Sequence, residues 1–444
     1  MPSRRGGAEI CPLAMGVDLG SSGIRLAVID AQGQVLAERA TAYLGSLDDP
    51  AGWQQGLIAL VQGLPAQLRH QLGAISLDGT SGTLLACRSD GTPLGPALAY
   101  SLACPEQAEA LSALVPAGCA AASVSGSLAR ALRLLGPLAR ERVGAWSATD
   151  LLLRHQADWL MGWLLGDWRW GEEGNNLRLG WDLRQQHWSG ELKRQAWAAA
   201  LPEVVSSGTA LGPLAPGSAA ALGLPGSCLV VAGSTDANAA VLAADPAPGD
   251  GVTVLGTTLV LKQFVTEPMA APGLSCHRLG GRWLVGGASN AGGGVLRQFF
   301  NDAELERLSR QIDPSRPSGL HYRPLPSRGE RFPVDDPDLL PILEPRPVSD
   351  VLFLQGLLEG LARIEAQGWA RLRQLGAPPL RRVISLGGGA RNPQWRQLRQ
   401  LAIGLPVLSR PGLAPALGMA RLALSALTTA APKMEEPAPP PEIP

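Results

Sequence analysis

The chain predicts an α/β protein built from two similar domains, and three observations carry that prediction. Apolar strand-like runs alternate with segments of helical spacing. Gly-rich turns stand at the ends of those strands. One strand–turn–strand device also occurs twice, as AMGVDLGSSGIRLAVID at 14–30 and GVTVLGTTLVLKQFV at 251–265. The two turns are Gly20-Ser21-Ser22 and Gly256-Thr257-Thr258. Such a turn gathers backbone N–H groups and small hydroxyls into one concavity, which suits phosphate oxygens, and glycine permits close backbone approach. Two of these hairpins with Asp236 between them point to two domains closing on one nucleotide, as in an ATP-dependent phosphotransferase.

The elements follow in order. After the first hairpin, Asp30-Ala-Gln-Gly33 is a turn signal and QVLAERA a third strand. Residues 50–69 carry helical spacing. GAISLDGTSGTLLACRSDGTPLG, 73–95, reads as strand, loop, strand and an Asp-Gly turn. Residues 105–165 read as mostly helical, and NNLRLGWDLRQQHW, 175–188, as a connector. CLVVAGSTDANAAVLAA, 228–244, is a buried strand, a turn and a helix. DPAPGDG, 245–251, is the boundary between domains spanning 14–247 and 248–430. In the second, 281–300 reads as strand, Gly-rich turn and helix, and 313–348 as irregular. Residues 351–376 form a long helix, and 381–408 strand, Gly-rich loop, helix and short strand. Residues 1–13 are an extension, and the Pro-rich tail 431–444 is expected to be disordered.

Composition narrows the function. The 444 residues are 45% hydrophobic and 17% charged, with 38 basic and 38 acidic side chains. This is an ordinary globular mixture, and its charge balance argues against nucleic acid or an anionic membrane as partner. No signal peptide or spanning segment is expected, so the location expected is the cytoplasm. The six cysteines form no CxxC pair and read as reduced thiols. The five histidines are scattered, which favours surface or satisfied core positions over metal ligation.

Several residues carry chemistry, each beside a plainer reading. Asp18 ends an apolar strand before a Gly-Ser-Ser turn. It is either a turn-forming Asx or a carboxylate holding Mg2+ through water beside phosphates. Arg25 is a solvated strand charge or a ligand for phosphate or carboxylate. Asp236 begins a helix, either as a capping residue or as the general base that takes a hydroxyl proton. Asp78-Gly79-Thr80-Ser81-Gly82-Thr83 is a hairpin loop or a polyol-binding one. Gly387-Gly388-Gly389-Ala390-Arg391-Asn392 lets a backbone approach a ring or phosphate at a helix N-terminus. Gly292-Gly293-Gly294 offers a similar but less distinctive turn. There is neither a P-loop nor a GxGxxG fingerprint. Tryptophans such as Trp159, Trp163, Trp168, Trp170 and Trp181 are core residues or sugar-stacking platforms.

These motifs, in this order, resemble the FGGY family of carbohydrate kinases over about 14–430. DLGSSGIR and GTTLVLK resemble its two phosphate motifs, GSTDANAAVL the segment with the catalytic aspartate, and LGGGARNPQWRQLRQLAIGLPV the adenosine motif. The resemblance implies two actin-like domains with ribonuclease-H-like cores around a cleft for ATP and sugar. It implies Asp236 as base and Asp18 as the Mg2+-side carboxylate. Gly20, Ser21, Gly256, Thr257 and Thr258 would bind phosphate. Gly293 and Gly294, with Gly387, Gly388, Gly389, Ala390 and Asn392, would bind the nucleotide. Asp18, Ser22, Gly23, Ile24 and Arg25, with Gly79 and Thr80, would line the sugar side. Within the family the chain is most similar to the D-ribulose kinases of cyanobacteria and plants. LDGTSG stands where xylulose kinases commonly carry a Gln-Met-His-Gly loop, which weighs against D-xylulose. The aromatic-x-Asp-x-Arg pattern of many relatives is absent, and Tyr100-Ser101-Leu102-Ala103-Cys104 stands there. D-xylulose, L-ribulose or a polyol are alternative substrates, a non-catalytic actin-like ATP sensor is an alternative of another class, and a homodimer is a further expectation.

Overall fold

The computed structural model describes residues 12–136 and 150–430. Two six-stranded sheets organise it. The first has the order β11-β12-β4-β1-β2-β3, and the second β15-β16-β14-β13-β17-β18. The strands of the first are β1 (Leu13–Leu19), β2 (Gly23–Ile29), β3 (Val35–Ala42), β4 (Leu72–Gly79), β11 (Ala210–Pro213) and β12 (Leu229–Thr235). Those of the second are β13 (Asp250–Leu255), β14 (Leu259–Val265), β15 (Leu274–Leu279), β16 (Arg282–Ser289), β17 (Arg382–Leu386) and β18 (Val407–Ser409). Three small ribbons complete the strands: β5 (Leu84–Cys87) with β6 (Leu152–His155), β7 (Trp170–Glu172) with β10 (Glu203–Val205), and β8 (Trp181–Asp182) with β9 (His187–Trp188).

The two sheets share one wiring. In each, a tight antiparallel hairpin (β1–β2, β13–β14) pairs on one side with an antiparallel strand (β3, β16). On its other side two strands run parallel to the first (β4 and β12, β17 and β18). This is the ribonuclease-H-like arrangement, present twice. Every residue of β1 is buried, as expected of a central strand covered on both faces. β3 alternates poorly and is largely exposed, with Glu38 and Arg39 blunting an edge.

Helices cover the sheets. Asp49 caps Pro50–Gln62, with Pro50 in the first turn, and the helix buries Trp53, Leu57, Leu60 and Val61 in the first core. Ser349 caps the 25-residue helix Asp350–Gln374, which covers the outer face of the second sheet. Between the sheets lie Asp236–Ala243 and Pro415–Ala430, packed on each other. Pro415–Ala430 also covers β1 and β4. Gly16 makes this possible, because a Cβ there would stand 1.9 Å from the Ala416 carbonyl oxygen. Gly418 does the same against Ala239, at 2.0 Å from its oxygen.

Three features depart from expectation. The stretch read as mostly helical contains β6, which pairs antiparallel with β5. β15 pairs with β16 as an edge strand that the sequence reading passed over. The Ala-rich helix Pro415–Ala430 was not anticipated either, because its few polar residues blur the amphipathic pattern of a helix buried on several sides. The extension up to residue 11, part of the helical stretch and the Pro-rich tail lie outside the described residues.

Candidate active site

Three carboxylates meet where β1, β4 and β12 end. Asp18 lies level with Asp78 across the parallel β1–β4 pair, and Asp78 is level with Ser234 of β12. β12 shifts register between Val231 and Ser234. Gly233 allows that shift, since a Cβ would lie 1.7 Å from the Leu77 carbonyl oxygen. Thr235 then occupies the N-cap and Asp236 opens the helix Asp236–Ala243. The capping reading of Asp236 therefore yields, since Thr235 is the cap.

Asp236 is half-buried and accepts a hydrogen bond from its neighbour's N–H, Ala237 N to Oδ1, at 2.7 Å. Burial pushes its carboxyl up to about 6; the Asp18 charge pushes the same way, while the Ala237 N–H and the Arg178 guanidinium pull it down. A carboxyl poised there is mostly ionised at neutral pH yet basic enough to accept a proton. Asp18 is 2% exposed and takes a hydrogen bond from Arg25 Nη1 at 3.0 Å. Asp78 is fully buried, and neither of its carboxylate oxygens has a hydrogen-bond partner. Burial, and then the charges of Asp18 and Asp236, hold it well above the usual carboxylate range.

Around the first turn, the Gly20 N–H donates to the Gly23 carbonyl at 3.0 Å, leaving Ser21 and Ser22 exposed. Tyr43 Oη donates to the Gly20 carbonyl at 2.8 Å and accepts from Gln156 Nε2 at 3.2 Å. Ser22, Gly23, Ile24 and Arg25 line a shallow cavity of about 310 Å³ together with Ala40, Thr41 and Ala42 of β3. The Ile24 side chain itself lies in the first core. Thr80 is turned to internal use. Its hydroxyl donates to Gln156 Oε1 at 2.8 Å and stands 2.6 Å from the Thr83 hydroxyl, and its N–H also reaches Gln156. Gly79 packs against Ala157. Where the aromatic-x-Asp-x-Arg pattern is missing, Arg130 reaches in from the helix Ser127–Leu134 to the carbonyls of Gly82, Tyr100 and Ser125.

The second turn is one residue tighter, with Gly256 N–H donating to Thr258 O at 3.1 Å and Gly256 and Thr257 exposed. The N–H groups of Gly293 and Gly294 donate to the carbonyls of Gly256 and Thr257, at 2.9 and 3.0 Å. Those two glycines therefore brace the Gly256-Thr257-Thr258 turn and spend their donors on it. Gly387, at φ +81°, tucks beneath Leu255, and a Cβ there would lie 2.7 Å from the Leu255 oxygen. Gly389 meets the Trp395 ring, whereas the space beside Gly388 is open. Ala390 is buried. Asn392 caps Pro393–Ile403 through Trp395 N and donates to Ser309 Oγ, so its side chain is committed to the fold. The five named tryptophans pack in or against the apolar cores.

The donor set suits Mg2+, which takes hard oxygens and needs only one or two carboxylates beside phosphates and water. Asp18, with the unpartnered oxygens of Asp78 behind it, meets that need. No group of three or more His, Cys, Asp or Glu side chains placed to hold a metal occurs among the described residues. Tyr43, Gln156 and Arg178 carry no signal in the sequence, and Asp78 stands out there only as the first residue of the loop 78–83 that could bind a polyol.

Known proteins give the arrangement context. Residues 251–427 match the model of the FGGY family of carbohydrate kinases, C-terminal domain. A xylulose kinase of Klebsiella pneumoniae is 26% identical over 440 residues, covering 92% of this chain and 89% of that protein. A crystal structure described as a xyloylose kinase from Brucella ovis superposes with a TM-score of 0.80 at 21% identity, covering 94% of this chain and 91% of that one. The Plasmodium falciparum glycerol kinase with ADP gives 0.79 at 15% identity, over 94% and 90%.

Proposed function

We propose that the chain is a carbohydrate kinase of the FGGY family, whose C-terminal-domain model matches residues 251–427, and that it transfers the γ-phosphoryl group of ATP to a ketopentose, D-ribulose to D-ribulose 5-phosphate. The observation that carries the proposal is Asp236, a carboxyl raised to about 6 at the start of a helix beside Asp18. The sugar's terminal hydroxyl gives its proton to Asp236 as its oxygen attacks the γ-phosphorus in line, and the bond from that phosphorus to the bridging oxygen of ADP breaks. The N–H groups and hydroxyls of Ser21, Ser22, Thr257 and Thr258 receive the phosphate oxygens, while Gly20 and Gly256 close their turns. Gly387, Gly388 and Gly389 offer their backbone to the adenosine. Asp18 would hold Mg2+ through water, and the ion, when bound, neutralises charge on the transferring group. Residues 14–247 make up the sugar-binding domain and 248–430 the nucleotide-binding domain. Closure of the two excludes water from the transfer. The cytoplasm is the proposed location.

D-xylulose is the second reading, because the curated relatives are xylulose kinases. Against it stands LDGTSG, which puts the buried carboxyl of Asp78 beside the site. ADP release with Mg-ATP, measured against D-ribulose, D-xylulose, L-ribulose and polyols, tests the proposal. Preference for D-ribulose is the expected result. Preference for another sugar would move the specificity and keep the chemistry, and ATP binding without turnover on any of them would favour a sensor.

A further inference from the structure

One charged contact ties the second sheet to the first domain. Arg278 of β15 grips Glu173, with Nε to Oε1 at 3.1 Å and Nη2 to Oε2 at 2.8 Å. The same Nη2 donates to Gln186 Oε1 at 3.0 Å and to Ser206 Oγ, and Ser206 Oγ donates to Glu173 Oε2 at 3.2 Å. Glu173 is 1% exposed and Arg278 24%. A two-point fork of this kind fixes direction as well as distance.

The segment holding Glu173 is rigidly built into the first domain. The Glu172 carboxylate accepts from the N–H groups of Gly174 and Asn175, each at 2.8 Å. Buried Asp158 accepts from Glu172 N at 3.0 Å and Asn176 Nδ2 at 3.1 Å. Five residues beyond Glu173, Arg178 is exposed and has no hydrogen bond or ion pair among the described residues. Its charge is felt by both Asp236 and His277 of β15, so it lies near each of them. On the other side, β15 pairs with β16 and β16 with β14, whose first residue follows the Gly256-Thr257-Thr258 turn. A sheet this short moves as a unit, so the position of Arg278 sets the position of that turn.

We propose that Glu173 and Arg278 are a positioning pair for phosphoryl transfer: they fasten β15 to the segment carrying Arg178 and so hold the second phosphate turn in register with Asp236. A buried pair of this kind contributes little net stability but specifies an arrangement. In-line transfer is sensitive to that arrangement, because a misplacement of about 1 Å can cost ~10²-fold in rate. The kinetic part of the inference rests on the kinase reading, whereas the fastening itself does not.

The test uses the full chain with Arg278→Gln, Glu173→Gln and the double variant; Gln has the shape of Glu, and in place of Arg it leaves a shorter, uncharged polar side chain that cannot form the fork. Either single change should lower kcat by about tenfold or more, with the KM for the sugar and the ATP affinity measured without sugar held within about threefold. The double variant should be no worse than the poorer single one, since both remove the same contact. Arg278→Lys should recover only part of the rate, because an ammonium cannot form the fork. Hydrogen exchange over 171–180 and 274–279 should speed up in each Gln variant. Unchanged kcat in the singles, losses that add in the double, or a matching collapse of sugar and ATP binding would each overturn the positioning role. If the wild-type chain turns over no sugar, the kinase reading fails by itself, and unchanged exchange in the variants would overturn the fastening.

Discussion

Asp236 has two measurable consequences that run in opposite directions. As base it must be ionised, so kcat/KM should fall as pH drops below about 6, the value to which burial raises it. Asp236→Asn should lower kcat by ~10²–10⁴ while nucleotide still binds. Steady-state kinetics over roughly pH 5 to 8 checks both, and a wild-type profile flat across that range would remove Asp236 as the base. The same shift costs stability. A folded carboxyl near 6, against about 3.9 when unfolded, binds its proton more tightly in the native state. Its contribution is therefore fully favourable below about pH 4 and lost as pH rises through about 6. Asp236→Asn should accordingly stabilise the protein by about 1–3 kcal/mol at neutral pH, with the gain vanishing near pH 4 in denaturant titrations. Function and stability pull apart at this side chain, as they do where a carboxyl is desolvated for catalysis.

At the scale of elements, the Gly387–Gly389 loop depends on what lies beneath it. Fully buried Glu365, from the helix Asp350–Gln374, pairs with fully buried Arg399, from Pro393–Ile403. Thr253 Oγ1 donates to Glu365 at 2.6 Å and Arg399 Nη1 donates to Ser385 Oγ at 2.7 Å, so the network ties two helices to β13 and β17. Removing one partner leaves the other charge buried and alone. Glu365→Ala should cost about 3–5 kcal/mol by chemical denaturation. Gly388 provides the contrasting case. Nothing lies within 4 Å of its Cβ position, so Gly388→Val should fold with near-native Tm. It should nonetheless weaken ATP binding in calorimetry if adenosine lies there, and unchanged affinity would count against that assignment. The brace of Gly293 and Gly294 under the second turn shows a glycine pair serving backbone contact between two loops, where a ligand contact was expected.

For the whole molecule, the two sheets are held at a distance set by small residues. Helix Pro415–Ala430 meets β1 at Gly16 and helix Asp236–Ala243 at Gly418. Asp236 thus begins a helix wedged between both sheets, and any change in that wedge moves Asp236 relative to the turns at 20–22 and 256–258. Gly16→Val has no room, with backbone atoms at 1.9 and 2.1 Å from its Cβ. It should cost about 3 kcal/mol or more in thermal or denaturant unfolding. A native Tm in that variant would show that the helix can lie farther from β1 without loss.

Much of this architecture was legible in the residues because it is encoded locally. The paired Gly-Ser-Ser and Gly-Thr-Thr turns, Asp236 at a strand-to-helix junction and the Gly-rich loop at 387–389 each depend on a few consecutive residues, whose types restrict the backbone directly. So does the α/β class, through its alternating periods. The remainder came from contacts between distant segments. Asp78 stands beside Asp18 only because β4 joins β1 in one parallel register, about which the intervening chain is silent. Asn392 and Thr80 are the right residue types for binding, but neighbours brought in by folding occupy their side chains. Glu173 and Arg278, 105 positions apart, carry no local signal at all. Turn chemistry is short-ranged and can be read along the chain, whereas register, burial and charge pairing arise from packing and exist only once the chain has folded.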